Sequence, residues 1–483
     1  MRNTLFKNYF WNSFYQVFIL IIPFFVTPYV SRVIGAEVIG QYSYTRSIVA
    51  YFTLFASAGS NLYAQREIAL AGSNTRNRNN IFWEIFLIRV ILVCACSVFY
   101  LPMIFLYEQY SIFFAIQLLD VAATGIDITW FYQGIEDFGK IAFRNMIMKS
   151  MGMIFIFLFV HEVKDFGIYV LSYSLSNFLG QLWMWLGIRD KVSSPVFREL
   201  MLSRHLKGIL ALALPQAAIQ VYLVIDKTMI ELITSDSKQT GFYEMAQTFQ
   251  RIGVSITTAF GSVTASRIAS IRNQNNGEEI KIIINQACDI ISLLGVPIAF
   301  GIAAIASTFV PFFLGEGYEP AAHILVWLCP LIVIIGFSNI SGMQYMVPMG
   351  MQRQITRSTF AGLMMNIVMN AFLIPPYGAY GAAAASVMSE TLVLIIQMFY
   401  IRTTIQWKNS GFNLLRSLLC SSCMYLLINL LESFSFFESS FLNFAIIICL
   451  SGIFYLILQI LSGNQILKEI IHIFQNKITD LRG

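Results

Sequence analysis

The sequence predicts an all-α polytopic membrane protein with about fourteen transmembrane helices, because long apolar segments follow one another from end to end. Two further observations support this fold class. Hydrophobic residues make up 57% of the chain and charged residues 12%, whereas a soluble chain carries about 25% charged residues. Lys and Arg also cluster in every second gap between apolar segments, which is typical of the cytoplasmic loops of membrane proteins.

Each apolar segment is long enough to cross a bilayer, which takes about 20 residues in a helix. The first segment follows Arg2 and Lys7, but it is too long for the apolar region of a signal peptide and no small-residue cleavage site follows it. We therefore expect this segment to be retained as the first spanning helix. The predicted spans are 9–30, 40–63, 81–106, 109–131, 143–161, 166–188, 208–233, 241–265, 283–306, 321–344, 355–375, 378–401, 413–432 and 441–461.

The distribution of positive charge predicts the orientation. Most of the 31 Lys and Arg lie in one alternating set of loops and tails, whereas Arg32, Lys164 and Lys238 lie in the opposite set. Because cytoplasmic loops are rich in Lys and Arg, we expect both chain ends in the cytoplasm. The cations assigned to cytoplasmic loops and the tail include Arg66, Arg76, Arg78, Lys140, Arg144, Arg189, Lys191, Arg198, Arg204, Lys207, Arg267, Arg272, Lys281, Arg353, Arg357, Arg402, Lys408, Arg416, Lys468, Lys477 and Arg482.

An internal repeat predicts how the helices group. Under one constant shift of the numbering, Gly40, Tyr42 and Arg66 fall on Gly241, Tyr243 and Arg267. Two halves with the same in/out sense imply a pseudo-two-fold axis along the membrane normal. The sequence therefore predicts a six-helix bundle over 1–207 and a second over 208–405. The remainder, 406–483, holds two further helices and a cytoplasmic tail.

Five cations lie inside apolar segments on five different helices. A charge near the bilayer centre costs about 2.5–3.5 kcal/mol, so such residues are expected to be paired or to face water. If the five converge, they form a cationic chamber that suits an anionic, phosphate-bearing substrate, since guanidinium and ammonium groups both bind phosphate. These cations are Arg46, Arg89, Lys149, Lys227 and Arg251.

Three carboxylates inside apolar segments are candidates for coupling to H⁺ or Na⁺. Asp120 and Glu390 lie near mid-depth of their helices, and Asp127 shares the helix face of Asp120. A buried carboxylic acid binds a proton more readily than a solvated one. The structural alternative to a functional role is a buried ion pair for Arg251. For the shallower Arg46, Arg89, Lys149 and Lys227 it is a long side chain that reaches the membrane surface.

Several other kinds of chemistry are excluded by the motifs. The string from Gly134 to Lys140 has the G-x4-G-K spacing of a phosphate-binding loop, but Ile141 follows where a hydroxyl should hold Mg²⁺. The four His residues are far apart and form no metal set. No basic face is continuous, so the net charge of +5 does not indicate nucleic-acid binding. We expect neither an enzyme nor a cofactor.

Several stretches resemble one known family. Trp130-Phe-Tyr-Gln-Gly-Ile-Glu-Asp-Phe, continuing to Arg144-Asn145, resembles the junction of the fourth and fifth helices in bacterial lipid-linked oligosaccharide flippases. Gly317-Tyr-Glu-Pro-Ala-Ala resembles their loop before the tenth helix, and Ile340-Ser-Gly-Met-Gln-Tyr a later stretch. The segment from Asn370 through Ile374-Pro-Pro-Tyr-Gly-Ala-Tyr-Gly-Ala, with Glu390 beyond it, is also similar. Asp226-Lys227 stands where the family often has Asp-Arg, which keeps the cation.

This family is the polysaccharide or O-antigen repeat-unit flippase group of the multidrug/oligosaccharidyl-lipid/polysaccharide exporter superfamily. The resemblance implies a MATE-like fold in the bacterial inner membrane, with two bundles around a central cavity. It implies that the chain flips a polyprenyl-pyrophosphate-linked oligosaccharide from the cytoplasmic to the periplasmic leaflet by ion-coupled alternating access. A polysaccharide polymerase and a chain-length regulator are the expected protein partners.

On this hypothesis, Arg46 and Arg251 hold the pyrophosphate, supported by the other three intramembrane cations. Alternatives remain open at this point. A multidrug or organic-ion exporter of the same superfamily would need an acidic and aromatic cavity. A membrane-embedded glycan polymerase would need larger outside loops, and a scaffold for glycan assembly would tolerate changes to every intramembrane charge.

Overall fold

A computed structural model of the protein describes residues 2–57, 59–72, 74–259, 261–272, 277–433, 440–464 and 467. All regular secondary structure in these residues is helical. The all-α fold class predicted from the sequence is therefore confirmed. The predicted cytoplasmic tail with Lys468, Lys477 and Arg482 lies outside the described residues. The helices are α1 Arg2–Ser57, α2 Ser60–Ala71, α3 Thr75–Leu106, α4 Ser111–Ile126, α5 Thr129–Gly134, α6 Phe138–Phe159, α7 Phe166–Met184, α8 Ser203–Thr234, α9 Ser237–Thr258, α10 Gly261–Arg272, α11 Gly277–Leu314, α12 Glu319–Leu328, α13 Pro330–Asn339, a π-helical segment Ile340–Met346, α14 Gln352–Tyr377, α15 Ala379–Tyr400, α16 Trp407–Ser433 and α17 Phe441–Leu461.

The predicted spans all fall on these helices. Among the described residues, 10 helices are long and apolar enough to cross a membrane, or 11 if the two parts of α8, which meet at 41°, form one span. The long α1 contains the first predicted span and most of the second, 40–63, because Gly35 takes a non-helical conformation (φ 76°, ψ 170°) that breaks the helix. The two remaining predicted spans correspond to α7 and to α9 with α10, which do not meet that criterion of length and hydropathy.

The contacts of the chain define two compact units, Met1–Gly241 and Phe242–Gly483. The α8 helix, which begins close to the predicted boundary between 207 and 208, packs on α1 and α2 within the first unit. The predicted grouping into two six-helix bundles with a separate 406–483 region stays a prediction.

In the first unit, α1 packs against α3, α4, α6 and α8, while α4 and α6 each pack on α7. Its largest aromatic cluster lies where α2, α3 and α5 meet. Trp130, Phe131 and Tyr132 are almost completely buried there, and Phe82 packs against the first two. A Cβ on Gly134 would lie 2.7 Å from the Ile68 side chain, so glycine permits α5 to approach α2 closely. This aromatic stretch therefore fixes α5 and the helices that follow it.

In the second unit, α14 packs on α15 and α11 packs on α16. The α17 helix is joined to α11 by the Tyr455 hydroxyl, which donates to the Leu293 carbonyl at 2.8 Å. The π-helical segment is fixed to α15 by Ser341 Oγ, which donates to Gln397 Oε1 at 2.7 Å. The two C-terminal helices thus pack as part of this unit.

Candidate functional site

The first unit encloses a cavity of about 460 Å³, lined by residues of α1, α4, α6 and α7. It lies beside the part of α1 that follows the break at Gly35. Polar groups reach it from each of the four helices, among them Arg46, Asp120, Lys149 and Asn177. Its volume falls within the roughly 300–1,000 Å³ typical of small-molecule sites.

Three cations line this cavity: Arg46, Arg144 and Lys149. Arg46 is exposed although the residues on both sides of it, from Tyr42 to Val49, are buried. Its exposed surface therefore belongs to the cavity. Lys149 reaches the same space from α6, and the two like charges are close enough to repel each other. Within the part of the chain that the structure describes, Lys149 has no hydrogen-bond or ion-pair partner.

Arg144 is buried, with 5% of its surface exposed. Its Nη2 donates to Thr129 Oγ1 at 3.3 Å, while its Nε has no hydrogen-bond partner among the described residues. Gly180 on α7 leaves room for this side chain, since a Cβ there would lie 3.1 Å from Arg144 Nη1. A buried guanidinium with an unused donor at a cavity wall is suited to binding an anion.

Asp120 is the carboxylate among the described residues that line this cavity. Its Oδ2 accepts a hydrogen bond from Ser174 Oγ at 2.6 Å, and its Oδ1 accepts one from Asn177 Nδ2 at 2.7 Å. Both donors lie on α7, so the carboxylate joins α4 to α7 at the cavity wall. With three cations and one carboxylate ionised, the described lining is electropositive.

A second cavity of about 340 Å³ adjoins the first, since Ala50, Thr53, Thr124 and Asn177 line both. Arg89 lies at its wall and is paired with Asp127. The Arg89 side chain is 1% exposed; its Nη1 donates to the Asp127 carbonyl at 3.1 Å and its Nη2 to Asp127 Oδ2 at 3.2 Å. The predicted cation and the predicted coupling carboxylate thus form a buried pair with each other.

The other predicted site residues lie elsewhere. Lys227 is buried on α8 and is not among the residues that line these two cavities. Arg251 on α9 and Glu390 on α15 belong to the second unit. Arg251 is exposed and donates from Nη2 to Gln247 Oε1. The structure therefore brings Arg46, Lys149 and Asp120 together in one cavity, with Arg89 and Asp127 beside it.

Arg144 was missed as a site residue, because the sequence analysis assigned it to a cytoplasmic loop. It lies in α6 and faces the cavity with Asn145. The pair Arg144-Asn145 was already part of the stretch that resembles the flippases, and this was the signal that could have found it.

Glu84 and Glu231 are buried carboxylates that lie outside these cavities. Glu84 on α3 accepts hydrogen bonds from the Met201 backbone N–H at 2.7 Å and from Arg204 Nε at 2.7 Å, and it contacts His205. Glu231 on α8 accepts from the hydroxyls of Tyr110, Ser237 and Thr240. Sequence analysis missed both because each lies near a predicted span end, where a charge is expected to reach water.

The region that resembles a phosphate-binding loop has a structural role. Gly134 packs against Ile68, and Lys140 Nζ donates to the Tyr132 hydroxyl at 2.8 Å and to the Leu186 carbonyl at 2.7 Å. The lysine is thus engaged within the protein. No group of three or more His, Cys, Asp or Glu that could hold a metal ion is found in the described part of the chain.

The sequence matches a known protein family over more than half of its length. The family model described as "Polysaccharide biosynthesis protein" matches residues 5–271. Two proteins named "Putative O-antigen transporter" are similar to the chain. The one from Shigella dysenteriae is 21% identical over 78% of this chain and 94% of the relative. The one from Escherichia coli K12 is 22% identical over 79% of this chain and 93% of the relative.

Solved structures share the fold. The lipid II flippase MurJ in an inward closed conformation superposes with a TM-score of 0.75 at 14% identity, covering 95% of this chain and 100% of that chain. An inward-facing multidrug resistance MATE family transporter of the MOP superfamily gives a TM-score of 0.64 at 16% identity, over 80% of this chain and 94% of that chain. These relatives are named as transporters or flippases rather than as enzymes, and the MATE-like fold class is confirmed.

Proposed function

The chain belongs to the polysaccharide biosynthesis protein family, and we propose that it flips a polyprenyl-pyrophosphate-linked oligosaccharide across the bacterial inner membrane. The substrate is an O-antigen unit or a similar polysaccharide repeat unit, which moves from the cytoplasmic to the periplasmic leaflet. Relatives named as O-antigen transporters support the substrate class. The clustering of Lys and Arg in alternate loops supports cytoplasmic chain ends.

The observation that carries the proposal is the electropositive cavity of the first unit. Arg46, Arg144 and Lys149 line it, and Lys149 has no partner among the described residues. Cations in a membrane-spanning region are costly unless they are paired or face a polar cavity, and three of them at one cavity favour an anionic ligand there. A pyrophosphate carries the required charge, and its oxygens accept the donors of guanidinium and ammonium groups. An organic cation would be repelled by this lining.

The transport step divides the substrate between two environments. The pyrophosphate and sugars occupy the polar interior, while the polyprenyl tail stays in the lipid, where its apolar surface costs nothing to accommodate. By alternating access, the cavity then opens first to the cytoplasmic side of the membrane and afterwards to the periplasmic side. Arg251 and Lys227 are not among the residues that line the cavity. We keep Arg251 as a proposed further phosphate ligand and Lys227 as its support.

We propose that a cation gradient resets the transporter, through H⁺ or Na⁺. Asp120 is the strongest candidate for the coupling site, because it lies at the wall of the substrate cavity next to three cations. A cation bound at Asp120 would make the cavity more positive and would therefore change its affinity for the pyrophosphate, which couples the two binding events. Asp127 and Glu390 stay candidates, and a polymerase and a chain-length regulator stay the proposed protein partners.

The proposal is tested by complementation of a flippase-deficient strain that makes the matching repeat unit. Arg46→Ala and Lys149→Ala should each lower surface polysaccharide at least tenfold at equal membrane expression, and Arg46→Lys should restore part of it. Arg353→Ala is the matched control, because Arg353 is exposed and lies outside the cavity. Full surface polysaccharide in the double alanine variant would contradict the phosphate role.

A second measurement distinguishes flipping from bond formation. Purified protein in liposomes that contain a fluorescent lipid-linked oligosaccharide should move the label between leaflets without lengthening the glycan. A longer glycan chain would identify a polymerase instead and would overturn the proposed function.

A further inference from the structure

The second cavity is lined by neutral hydrogen-bonding groups. Asn61 on α2 and Gln216 and Gln220 on α8 present carboxamides to it, and Gln181 on α7 does so from a third direction. Within the described residues, Asn61, Gln216 and Gln220 make no hydrogen bond or other polar contact. Asn61 and Gln220 are exposed and Gln216 is half-buried, so their carboxamides are available to a ligand in this space.

The charge of this cavity differs from that of its neighbour. Its cation, Arg89, is neutralised by Asp127 within the protein, and the rest of the described lining is amide, hydroxyl and apolar. The first cavity holds three cations against Asp120. A single substrate that fills both would therefore need an anionic part joined to a neutral, polar part.

We propose that the second cavity is a saccharide subsite that reads the hydroxyl pattern of the transported glycan. A sugar hydroxyl is both a donor and an acceptor, and a carboxamide also offers both functions. A site built to hydrogen-bond hydroxyl groups discriminates strongly against ligands that lack them, because its own polar groups are then left unpaired. This inference rests on the proposed function, and it assigns the residues that select the sugar.

The positions of the two cavities suit a headgroup that continues from pyrophosphate into sugar. Both cavities follow α1, with Arg46 at the first and Ser57 at the second. At 1.5 Å per residue these positions lie roughly 16 Å apart along the helix. Thr53, Thr124 and Asn177 line both spaces and form a polar connection between them.

The fold of α8 places two of the carboxamides on one face. Gln216 and Gln220 are four residues apart, so their side chains project in the same direction. They begin the second part of α8, directly after the 41° bend between Ser203–Leu214 and Gln216–Thr234. Asn61, at the first turn of α2, faces the same space.

The test uses the full-length protein in lipid nanodiscs with two probes. One probe is polyprenyl pyrophosphate that carries the oligosaccharide, and the other is the same polyprenyl pyrophosphate without sugar. The wild-type protein should bind the glycosylated probe more tightly. The triple variant Asn61→Ala/Gln216→Leu/Gln220→Leu should reduce this preference about tenfold, since each lost hydrogen bond weakens binding several-fold. Its affinity for the sugar-free probe should stay unchanged.

Two variants serve as controls, and the outcomes distinguish failure of the saccharide subsite from failure of the proposed function. Gln352→Ala, an exposed amide away from both cavities, should leave both affinities unchanged. Arg46→Ala should weaken both probes by the same factor, because both carry pyrophosphate. If the triple variant keeps the wild-type preference, or loses affinity for both probes equally, the saccharide subsite is wrong and the proposed function stands. If the wild-type protein binds neither probe, the proposed function itself fails.

A single substitution guards against misfolding of the triple variant. Asn61→Ala lies on α2, away from the bend in α8, and should by itself lower the preference for the glycosylated probe several-fold. An unchanged preference in folded Asn61→Ala would remove this residue from the subsite and contradict the proposed geometry.

Discussion

The Glu84 carboxylate and the His205 imidazole lie in direct contact, with 2.7 Å between Glu84 Oε2 and His205 Nε2. Both side chains are buried. The other ring nitrogen of His205 lies 3.0 Å from the Tyr63 hydroxyl. With Nε2 protonated, the imidazole donates to the carboxylate and accepts from tyrosine. This chain of contacts joins the start of α8 to α2 and α3.

Replacing Glu84 with alanine should therefore destabilise the first unit. The His205 ring and the Met201 N–H would lose their acceptor, and a buried donor left unsatisfied costs about 1–3 kcal/mol. We expect a clearly lower unfolding midpoint, measured by thermal unfolding of purified protein in nanodiscs. Glu84→Gln keeps an acceptor and should lower the midpoint less.

Glu278→Ala provides the control for this experiment. Glu278 forms an ion pair with Lys281 on the protein surface, and the Glu278 side chain is 78% exposed. Exposed pairs contribute little because water already solvates both charges. Equal midpoints for Glu84→Ala and Glu278→Ala would contradict a structural role for the buried carboxylate.

The Arg89–Asp127 pair leads to a second prediction, on stability. Asp127→Asn leaves the Arg89 guanidinium, whose side chain is 1% exposed, without its counter-charge, and removal of one partner from a buried ion pair typically costs about 3–5 kcal/mol. Arg89→Leu/Asp127→Asn should regain a large part of that loss, since no unpaired charge remains. The measurement is a double-mutant cycle on the unfolding free energy. Additive losses in the double variant would show that the two side chains act independently.

The fold was largely predictable because bilayer constraints act along the sequence. Apolar runs of about 20 residues mark the spans, and all the predicted spans lie on helices. The break in α1 was anticipated only as a gap between two spans. The structure shows that Gly35, with a non-helical backbone conformation, produces this break. The division between compact units depends on which helices α8 contacts, and apolar runs in the sequence do not specify those contacts.

The charged residues of the site were partly predictable from the sequence, whereas its neutral polar residues were not. Arg46, Lys149 and Asp120 were identified because an ionised group within an apolar segment is costly and therefore conspicuous. Arg144 lies close to a span end, where a cation normally reaches the interface, so its charge alone did not identify it as a residue of the cavity. The carboxamides of Asn61 and Gln216 carry no charge, and no sequence pattern distinguishes them from other polar residues in membrane helices.

Asp120 leads to a third prediction, on coupling. Asp120→Asn keeps a side chain of nearly the same shape but removes the charge that Ser174 and Asn177 stabilise. If Asp120 binds the coupling ion, transport should lose its dependence on an imposed H⁺ or Na⁺ gradient, while the affinity for polyprenyl pyrophosphate stays equal or rises. The measurement is flipping of a labelled lipid in proteoliposomes with and without each gradient.

Glu316→Gln is the control for Asp120→Asn, because Glu316 is exposed and lies outside the cavity. It should leave the gradient dependence unchanged. Normal gradient dependence in Asp120→Asn would exclude this carboxylate as the coupling site and leave Asp127 and Glu390 as the candidates.

The last prediction concerns two glycines that the internal repeat pairs with each other, Gly40 and Gly241. They lie in contact: a Cβ on Gly40 would be 1.7 Å from the Ser237 carbonyl oxygen, and one on Gly241 would be 2.0 Å from the Ala36 carbonyl oxygen. The obstacles are backbone atoms, which cannot move aside as a flexible side chain can. Small residues of this kind let membrane helices pack backbone to backbone.

Gly40→Ala should therefore separate α1 from α9 and destabilise the protein by about 1–3 kcal/mol or more. The separation should also disturb Glu231, whose carboxylate accepts from Ser237 and Thr240 beside this contact. Gly411→Ala is the matched control: nothing lies within 4 Å of its added Cβ, and alanine favours a helix over glycine by up to about 1 kcal/mol. Unfolding midpoints in nanodiscs should fall for Gly40→Ala and stay equal or rise for Gly411→Ala. Equal stability of the two variants would show that α1 and α9 can move apart without loss of stability. It would contradict a structural role for the close glycine contact.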